Sequence, residues 1–391
     1  MKQTKFVSME TYMAPVYLDA AATTPTDPQV ADLVLRLMTE EFGNAGSRTH
    51  VYGAEALSQV NKARDRVAKA LGATADEVIF TSGATEADNI AILGLAGYGE
   101  QTGRRHIVAT AIEHKAVLEP LEQLVSRGFE VTLVRPDRAG HVAATDILAA
   151  VRDDTLLVSV MHANNETGAL QPIEAIANGL PNDGPFFHVD AAQTFGRETP
   201  ALQNSRIDLI AVSGHKIFGP KGVGALIIRR RGGRRIPLAP LMFGGGQERG
   251  LRPGTLPTPL IAGFGLACEL AEKERIPRAA ACLATRRAAL EALAPLSPVV
   301  HGGSSHDVLP NILSLAIPGV DSEAVMVTAK DLMAMSNGSA CTSAHYEPSH
   351  VLTAMGLEPD LVAGTVRISW THLTASAPWD QLAARLDDLR L

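Results

Sequence analysis

Cysteine is scarce in this chain, with three in 391 residues, at Cys268, Cys282 and Cys341, and none in CxxC spacing. An odd, scattered set excludes a disulfide framework and gives no zinc-ribbon pattern, so a reducing, cytoplasmic location is expected. Long apolar runs are also missing. Nothing approaches the ~18 consecutive apolar residues of a membrane span, and the opening MKQTKFVSMETYMAPVY lacks the apolar core of a secretion signal. Aromatic residues make up only 4% and the net charge is -7. That acidity argues against general nucleic-acid binding, so neither a membrane nor direct DNA contact is expected. Repeats and low-complexity tracts are absent, which excludes a solenoid. What is present is 46% apolar content over a length suited to two domains, or one large α/β domain with an appendage. Such a chain is not disordered.

Seven short apolar runs punctuate the stretch from 77 to 228: EVIFTS (77–82), HIVAT (106–110), EVTLV (130–134), LLVSV (156–160), FFHVD (186–190), IDLIAVS (207–213) and VGALII (223–228). Most are apolar throughout rather than alternating, which predicts strands buried on both faces of a mainly parallel sheet. Segments such as 86–98 and 114–127 are long enough for crossover helices, giving the βαβ alternation of an α/β sheet. The last two runs are close enough for a hairpin and one antiparallel edge. After the turn-rich stretch 243–257, Ala/Leu-rich helical segments occupy about 259–295, followed by a strand near 312–316 and a helix near 322–332. The expected division is a large α/β domain over 27–272 and a smaller α+β domain formed by 1–26 with 273–391.

In an open parallel sheet, ligands gather at the carboxyl ends of strands, and four polar clusters fall there. SGATEADN (82–89) is a small-residue turn into a helix, whose N–H groups with the Thr85 hydroxyl could cradle a phosphate. Alone it reads better as a simple cap, since many strand-to-helix turns use Ser, Gly and Thr that way. HVDAAQ (188–193) places Asp190 at a strand end with His188 on the same face. A cap, a metal ligand or a cofactor partner would each fit, but no third ligand lies nearby and no metal site is expected. AVSGHKIFGPKGVG (211–224) puts Lys216 just after a buried strand, where desolvation makes a competent imine-forming amine; Lys221 reads as a solvated or phosphate-facing charge. In SNGSACTSA (336–344), Cys341 has polar, small neighbours, as an accessible reactive thiol would. Cys268 and Cys282, on Ala/Leu-rich helices, read as packing. A phosphate cradle, a carboxylate and a buried lysine are together the parts of a pyridoxal-phosphate site, with His114 of AIEHKAV available to stack on the ring and handle protons.

The ordered motifs YLDAAATTP (17–25), FGNAGSRTH (42–50), TSGATEADN (81–89), EHKAV (113–117), MHANNETG (161–168), HVDAAQ (188–193), SGHKIFGPKGVGAL (213–226), GGGQERGLRPGT (244–255) and NGSACTSA (337–344) closely resemble the class V aminotransferase-like cysteine desulfurases of the NifS/IscS type, over nearly the whole chain. The resemblance implies the pyridoxal-phosphate-dependent transferase fold of type I, an α/β architecture with a large, mostly parallel, seven-stranded-type sheet. It also implies a homodimer that converts L-cysteine to L-alanine and leaves a persulfide on the catalytic cysteine. By resemblance, Lys216 is the Schiff-base lysine and Cys341 the sulfur acceptor. Asp190 pairs with the pyridinium nitrogen and Gln193 with the phenolic oxygen. Ala84, Thr85, Ser213 and His215 bind the phosphate, and Thr255 reaches it from the other subunit. His114 stacks on the ring, and Asn165 with Arg367 (in TVRIS) holds the substrate carboxylate.

SACTSA resembles the desulfurases with a long catalytic loop rather than the RxGHHCA type. The chain ends at LDDLRL, whereas general housekeeping relatives carry a longer tail that docks an iron–sulfur scaffold. The wording of FGNAGSRTH, SNGSACTSA, YEPSHVLTAMGL and GGGQERGLRPGT is most similar to desulfurases dedicated to DNA phosphorothioation, so the acceptor protein is expected to be an iron–sulfur scaffold or a phosphorothioation enzyme. RRRGGRR (229–235) packs five arginines into seven residues. It reads first as a solvated turn after an edge strand, and second as a patch for an acidic partner or nucleic acid. Two rival functions are another pyridoxal-phosphate reaction with Cys341 idle, and a non-catalytic adaptor that kept the fold.

Overall fold

The computed structural model describes residues 14–303, 307–337, 348–374 and 376–390. Among them are twelve strands: β1 (Val16–Tyr17), β2 (Val78–Thr81), β3 (His106–Thr110), β4 (Glu130–Val134), β5 (Thr155–Ser159), β6 (Phe186–Asp190), β7 (Leu209–Ser213), β8 (Gly224–Ile228), β9 (Val299–His301), β10 (Ile312–Ala316), β11 (Met333–Ala334) and β12 (Thr365–Ser369). The seven apolar runs all form strands of one sheet, in the order β2-β8-β7-β6-β5-β3-β4. From β7 to β4 the neighbours run parallel. Strand β8 is antiparallel to both β7 and β2. The antiparallel strand is therefore inside the sheet, with β2 as the edge, which corrects the edge position expected for it.

Alternation explains why these runs are apolar at every position. Ile210 and Val212 point into one core with Phe187, Val189 and Phe264, while Leu209 and Ala211 point into the other with Ile90, Ile107 and Leu157. Helices cover both faces; among them Ala84–Leu93 and Lys115–Ser126 pack together on one side, and Val51–Ala70 lies against Thr258–Leu293 on the other. The edge strand β4 is the one strand of this sheet with exposed residues.

The smaller sheet is antiparallel, β12-β10-β9, and its core includes Leu18, Leu313, Ile368, Trp370 and Trp379. The two tryptophans meet edge to face at 6.3 Å. The N-terminal arm joins here, since β1 pairs in parallel with β11. A single 36-residue helix, Thr258–Leu293, links the two cores. Its first half buries Ile261, Phe264 and Cys268 against the large sheet, and its second half buries Cys282, Ala289 and Leu293 in the small core. Residue 273 lies inside this helix. Segment 18–24 runs between the sheets, bridging Asp19 to Ser369 and bonding Thr24 to the His215 carbonyl. A cavity opens there, at the carboxyl ends of the central strands.

Candidate active site

The cavity has a volume of about 580 Å³ and is built from strand ends. Strand β6 delivers Asp190, with Ala192 and Gln193 on the following turn. Strand β7 ends at Ser213 and is followed by a single 3-10 turn, Gly214–Lys216, that brings His215 and Lys216 to the wall. That turn is held in place by Thr24, whose hydroxyl oxygen accepts the Phe218 N–H at 2.9 Å. Phe218 has φ 67, a left-handed backbone that a bulky residue adopts only when its surroundings enforce it. Arg278 lies over its ring at 4.8 Å and His372 packs edge-on at 4.8 Å. The Lys216 ammonium donates to the Ala21 carbonyl.

The opposite wall is the start of helix Ala84–Leu93. The first N–H groups of a helix have no partners within it, and Gly83, at the N-cap position, has no side chain to satisfy them. Gly224 of β8 lets the sheet approach this turn; a Cβ there would lie 2.4 Å from the Val212 carbonyl oxygen and 2.8 Å from Gly83 Cα. Glu86 closes the outer side of the turn. Its carboxylate accepts the Ser82 N–H at 2.5 Å and pairs with Arg252 at 3.0 Å, and these bonds outweigh burial and hold its pKa below the usual range. Thr85 and Ala84 line the cavity beside it.

His114 lines the cavity and caps helix Lys115–Ser126, with Nδ1 accepting the Ala116 N–H at 3.1 Å. Capping and a place in the site therefore coincide. Burial and the nearby Lys216 lower its pKa, against the pull of Asp190. His215, bonded through Nδ1 to the Thr23 hydroxyl at 3.1 Å, is pushed down to about 4 by burial and by Lys216 and Lys221. Asp190 is pushed up by burial, opposed by the Ala192 N–H at 2.8 Å and by the charges of His114 and Lys216. Arg367, on β12, reaches across from the small sheet. It donates to the Asn165 carbonyl at 3.0 Å and pairs with Asp19 at 2.7 Å.

Of the residues expected from sequence, Ala84, Thr85, His114, Asn165, Asp190, Gln193, Ser213, His215, Lys216 and Arg367 all line this one cavity. Thr255 does not; it is exposed, on the 244–257 segment. Cys341 lies outside the described residues. Cys268 and Cys282 are buried, and burial raises both thiols, Cys282 to about 11. His188, weighed as a metal ligand, instead bonds through Nδ1 to the Ser159 hydroxyl at 2.9 Å and lies 3.2 Å from Asp88. Sequence reasoning missed Asp88, Glu113 and the Ala21 carbonyl. Asp88 had a signal, since it sits one turn after Ala84 and Thr85 on the same helix face. The carbonyl had none.

Pyridoxal phosphate fits these residues. The Ser213 hydroxyl and Gln193 Oε1 are buried without partners, as groups awaiting a polar ligand would be. The Gln193 NH2 group holds the Ala21 carbonyl at 3.0 Å with one hydrogen and has a second to offer. An uncapped helix start suits a phosphate, and a buried carboxylate suits a protonated ring nitrogen.

The class-V aminotransferase family model matches residues 16–382. The chain is 43% identical over 382 residues to a cysteine desulfurase IscS of Vibrio vulnificus (strain CMCP6), covering 96% of this chain and 94% of that protein. Among solved structures, DndA from Streptomyces lividans is 51% identical with a TM-score of 0.80, covering 91% of this chain and 99% of that one. SspA in complex with cysteine is 36% identical with a TM-score of 0.78, covering 90% and 98%. The chain thus belongs to the class-V aminotransferase family, among its pyridoxal-phosphate-dependent cysteine desulfurases.

Proposed function

We propose that this cavity takes L-cysteine, releases L-alanine and leaves the sulfur as a persulfide on Cys341, for delivery to an acceptor protein. The observation that carries this reading is the convergence of Lys216, Asp190, His114 and Arg367 on one cavity. Pyridoxal phosphate, when bound, supplies an electron sink for negative charge developing at the substrate Cα. Lys216 is its covalent anchor and a carrier for the Cα proton. Asp190 keeps the ring nitrogen protonated, and the Gln193 amide donates to the phenolic oxygen. Ser213, His215, Thr85 and the N–H groups from Ala84 hold the phosphate. His114 covers the ring face. Burial keeps its imidazole neutral near pH 7, so it can accept a proton from the substrate thiol or from Cys341. Arg367, with Asn165 beside it, binds the substrate carboxylate; a charge-assisted hydrogen bond contributes about 1.5–3 kcal/mol. Asp19, its present partner, orients the guanidinium.

The Cys341 thiolate then attacks the substrate sulfur. The S–S bond forms as the Cβ–S bond breaks, and protonation of the carbon skeleton yields alanine.

The homodimer is part of the same reading. Thr255 lies away from its own chain's cavity, as a residue serving the partner's phosphate would, and exposed apolar side chains such as Phe42 and Phe243 call for cover. For the destination of the sulfur, we favour a DNA-phosphorothioation enzyme, supported by 51% identity to DndA and by the motif wording. The 43% identity to IscS supports an iron–sulfur scaffold as the second reading. Alanine release from L-cysteine tests the reaction. It should be lost in Lys216→Ala and in Cys341→Ser, the latter keeping the bound chromophore. Undiminished turnover in Cys341→Ser would overturn the role of the thiol.

A further inference from the structure

At the cavity floor lies a buried polar chain that the proposed reaction leaves unused; Asp88, at one end of it, lines the cavity. His188 is wholly buried on β6, two residues before Asp190 and on the same face of the strand. Its Nδ1 meets the hydroxyl of Ser159, its cross-strand partner on β5, at 2.9 Å. Its Nε2 lies 3.2 Å from Oδ1 of Asp88, on helix Ala84–Leu93. Asp88 is also wholly buried, and neither of its carboxyl oxygens has a hydrogen bond in the present geometry. Such groups are costly in a core unless they hold something in place.

We propose that Asp88 and His188 are a positioning pair for Asp190, joined by one proton that Asp88 donates to His188 Nε2, so that the floor's single negative charge rests on Asp190. The inference rests on Asp190 being the partner of the cofactor ring nitrogen.

Charge arithmetic supports it. Three buried carboxyl groups share this region: Asp88 on its helix, Glu113 before helix Lys115–Ser126, and Asp190 on β6. The cationic or titratable groups facing them are His188 on β6, His114 beside Glu113, and Lys216 after β7. Three carboxylates cannot all be charged without water. Asp190 alone is drawn down by both His114 and Lys216 and by an N–H donor. Burial and the charge of Asp190 raise Asp88 well above the usual range. Burial raises Glu113 to about 8, despite bonds from the Thr110 hydroxyl at 2.6 Å and the Met161 N–H at 2.9 Å. Burial lowers His188 to about 3. A neutral acid therefore faces a neutral imidazole, whose one N–H, on Nδ1, is donated to the Ser159 hydroxyl. Asp88 pins His188, and His188 fixes the end of β6 from which Asp190 projects.

The test uses two readouts in the purified enzyme: the Kd of the apoenzyme for added pyridoxal 5′-phosphate, and the pH midpoint of the bound chromophore's absorbance. Asp88→Asn keeps the shape and a hydrogen-bond donor, so both readouts should stay at the parent values. Asp88→Leu removes the donor and should weaken cofactor binding about 10-fold and move the midpoint by about a unit. Should Asp88→Leu fail to fold, His188→Phe removes the acceptor instead and carries the same expectation. A midpoint shifted about a unit in Asp88→Asn would mean that Asp88 is charged, and would overturn the proposal. So would parent values in folded Asp88→Leu or His188→Phe. Asp190→Asn separates the two readings. Parent values there overturn the role of Asp190 and this inference together, whereas a changed Asp190→Asn beside parent-like Asp88→Leu overturns this inference alone.

Discussion

In the roles proposed for them, Lys216 and His114 are oriented by local structure. The strained turn through Phe218 aims the lysine, and the helix start at Lys115 fixes the His114 ring by occupying Nδ1. If His114 moves protons as proposed, His114→Ala should lower kcat on the order of 10²-fold while leaving the fold unchanged. Its pKa sits below 6.5 because it is buried. The imidazole is therefore an active base above that value, and the acid limb of the kcat profile should lie below pH 6.5 and vanish in the alanine variant. A limb unchanged in His114→Ala would assign it to another group. Lys216, Asp190 and Ser213 were legible in the sequence because a strand's carboxyl end is a known place for chemistry. Glu113 was not, and Asp88 only in part, through its place one turn after Ala84 and Thr85. An isolated acidic residue reads as surface, and only the packing of a helix on the sheet reveals that these two are buried. The Ala21 carbonyl that accepts from both Lys216 and Gln193 is backbone, so no side chain advertises it.

Among the elements, the turn at Gly83 depends on the bare backbone of Gly224. Gly224→Ala should destabilise the chain by about 1–3 kcal/mol through overpacking, and cofactor affinity should fall with it, as denaturant titration and cofactor binding would show. Segment 244–257 is tied to the sheet edge by Glu248, which accepts two bonds from Arg64, at 2.9 and 2.6 Å, and the Phe80 N–H at 2.7 Å. Glu248→Ala would strand a mostly buried guanidinium and should cost about 3–5 kcal/mol, again measured by denaturant unfolding. The seven sheet strands were legible because burial on both faces makes each run apolar, but their order was not. Placing β8 between β2 and β7 is decided by long-range pairing. The arginine run shows the consequence. It follows an interior strand, so Arg229 is buried and donates to the Leu71 and Leu202 carbonyls, while Arg230 pairs with Asp76 and Arg231 with Asp208. Arg229 and Arg231 brace the chain, while residues 232–235 form an exposed turn, as expected, after a strand that is not the sheet edge. The helix through Pro277 was likewise read as separate segments. The proline is exposed, so water can satisfy the carbonyl it frees.

For the molecule as a whole, buried histidines set an acid limit. Burial lowers His162 and His301 to about 4 and His188 to about 3. Each stays neutral in the fold, while the unfolded chain takes up protons below about pH 6.5. The stability they contribute is thus complete above 6.5 and is lost as pH falls towards 4. For His162 alone the change is on the order of 3 kcal/mol. The thermal midpoint of the holoenzyme should drop between pH 6.5 and 4.5, and less steeply in His162→Gln; an equal slope would show that His162 does not contribute. No helix among the described residues is long and apolar enough to cross a membrane. We propose that the large unit spans 27–272 and that the small one combines 1–26 with 273–391, their boundary lying within the helix that joins the two cores. Of the three cysteines, Cys268 and Cys282 are held protonated by burial, in keeping with the proposal that Cys341 carries the sulfur. The most direct test is mass analysis of the Cys341 peptide after one turnover with L-cysteine in the absence of reductant. The account predicts a gain of one sulfur atom on that peptide, in step with one alanine released. Alanine released with the peptide unmodified would contradict it.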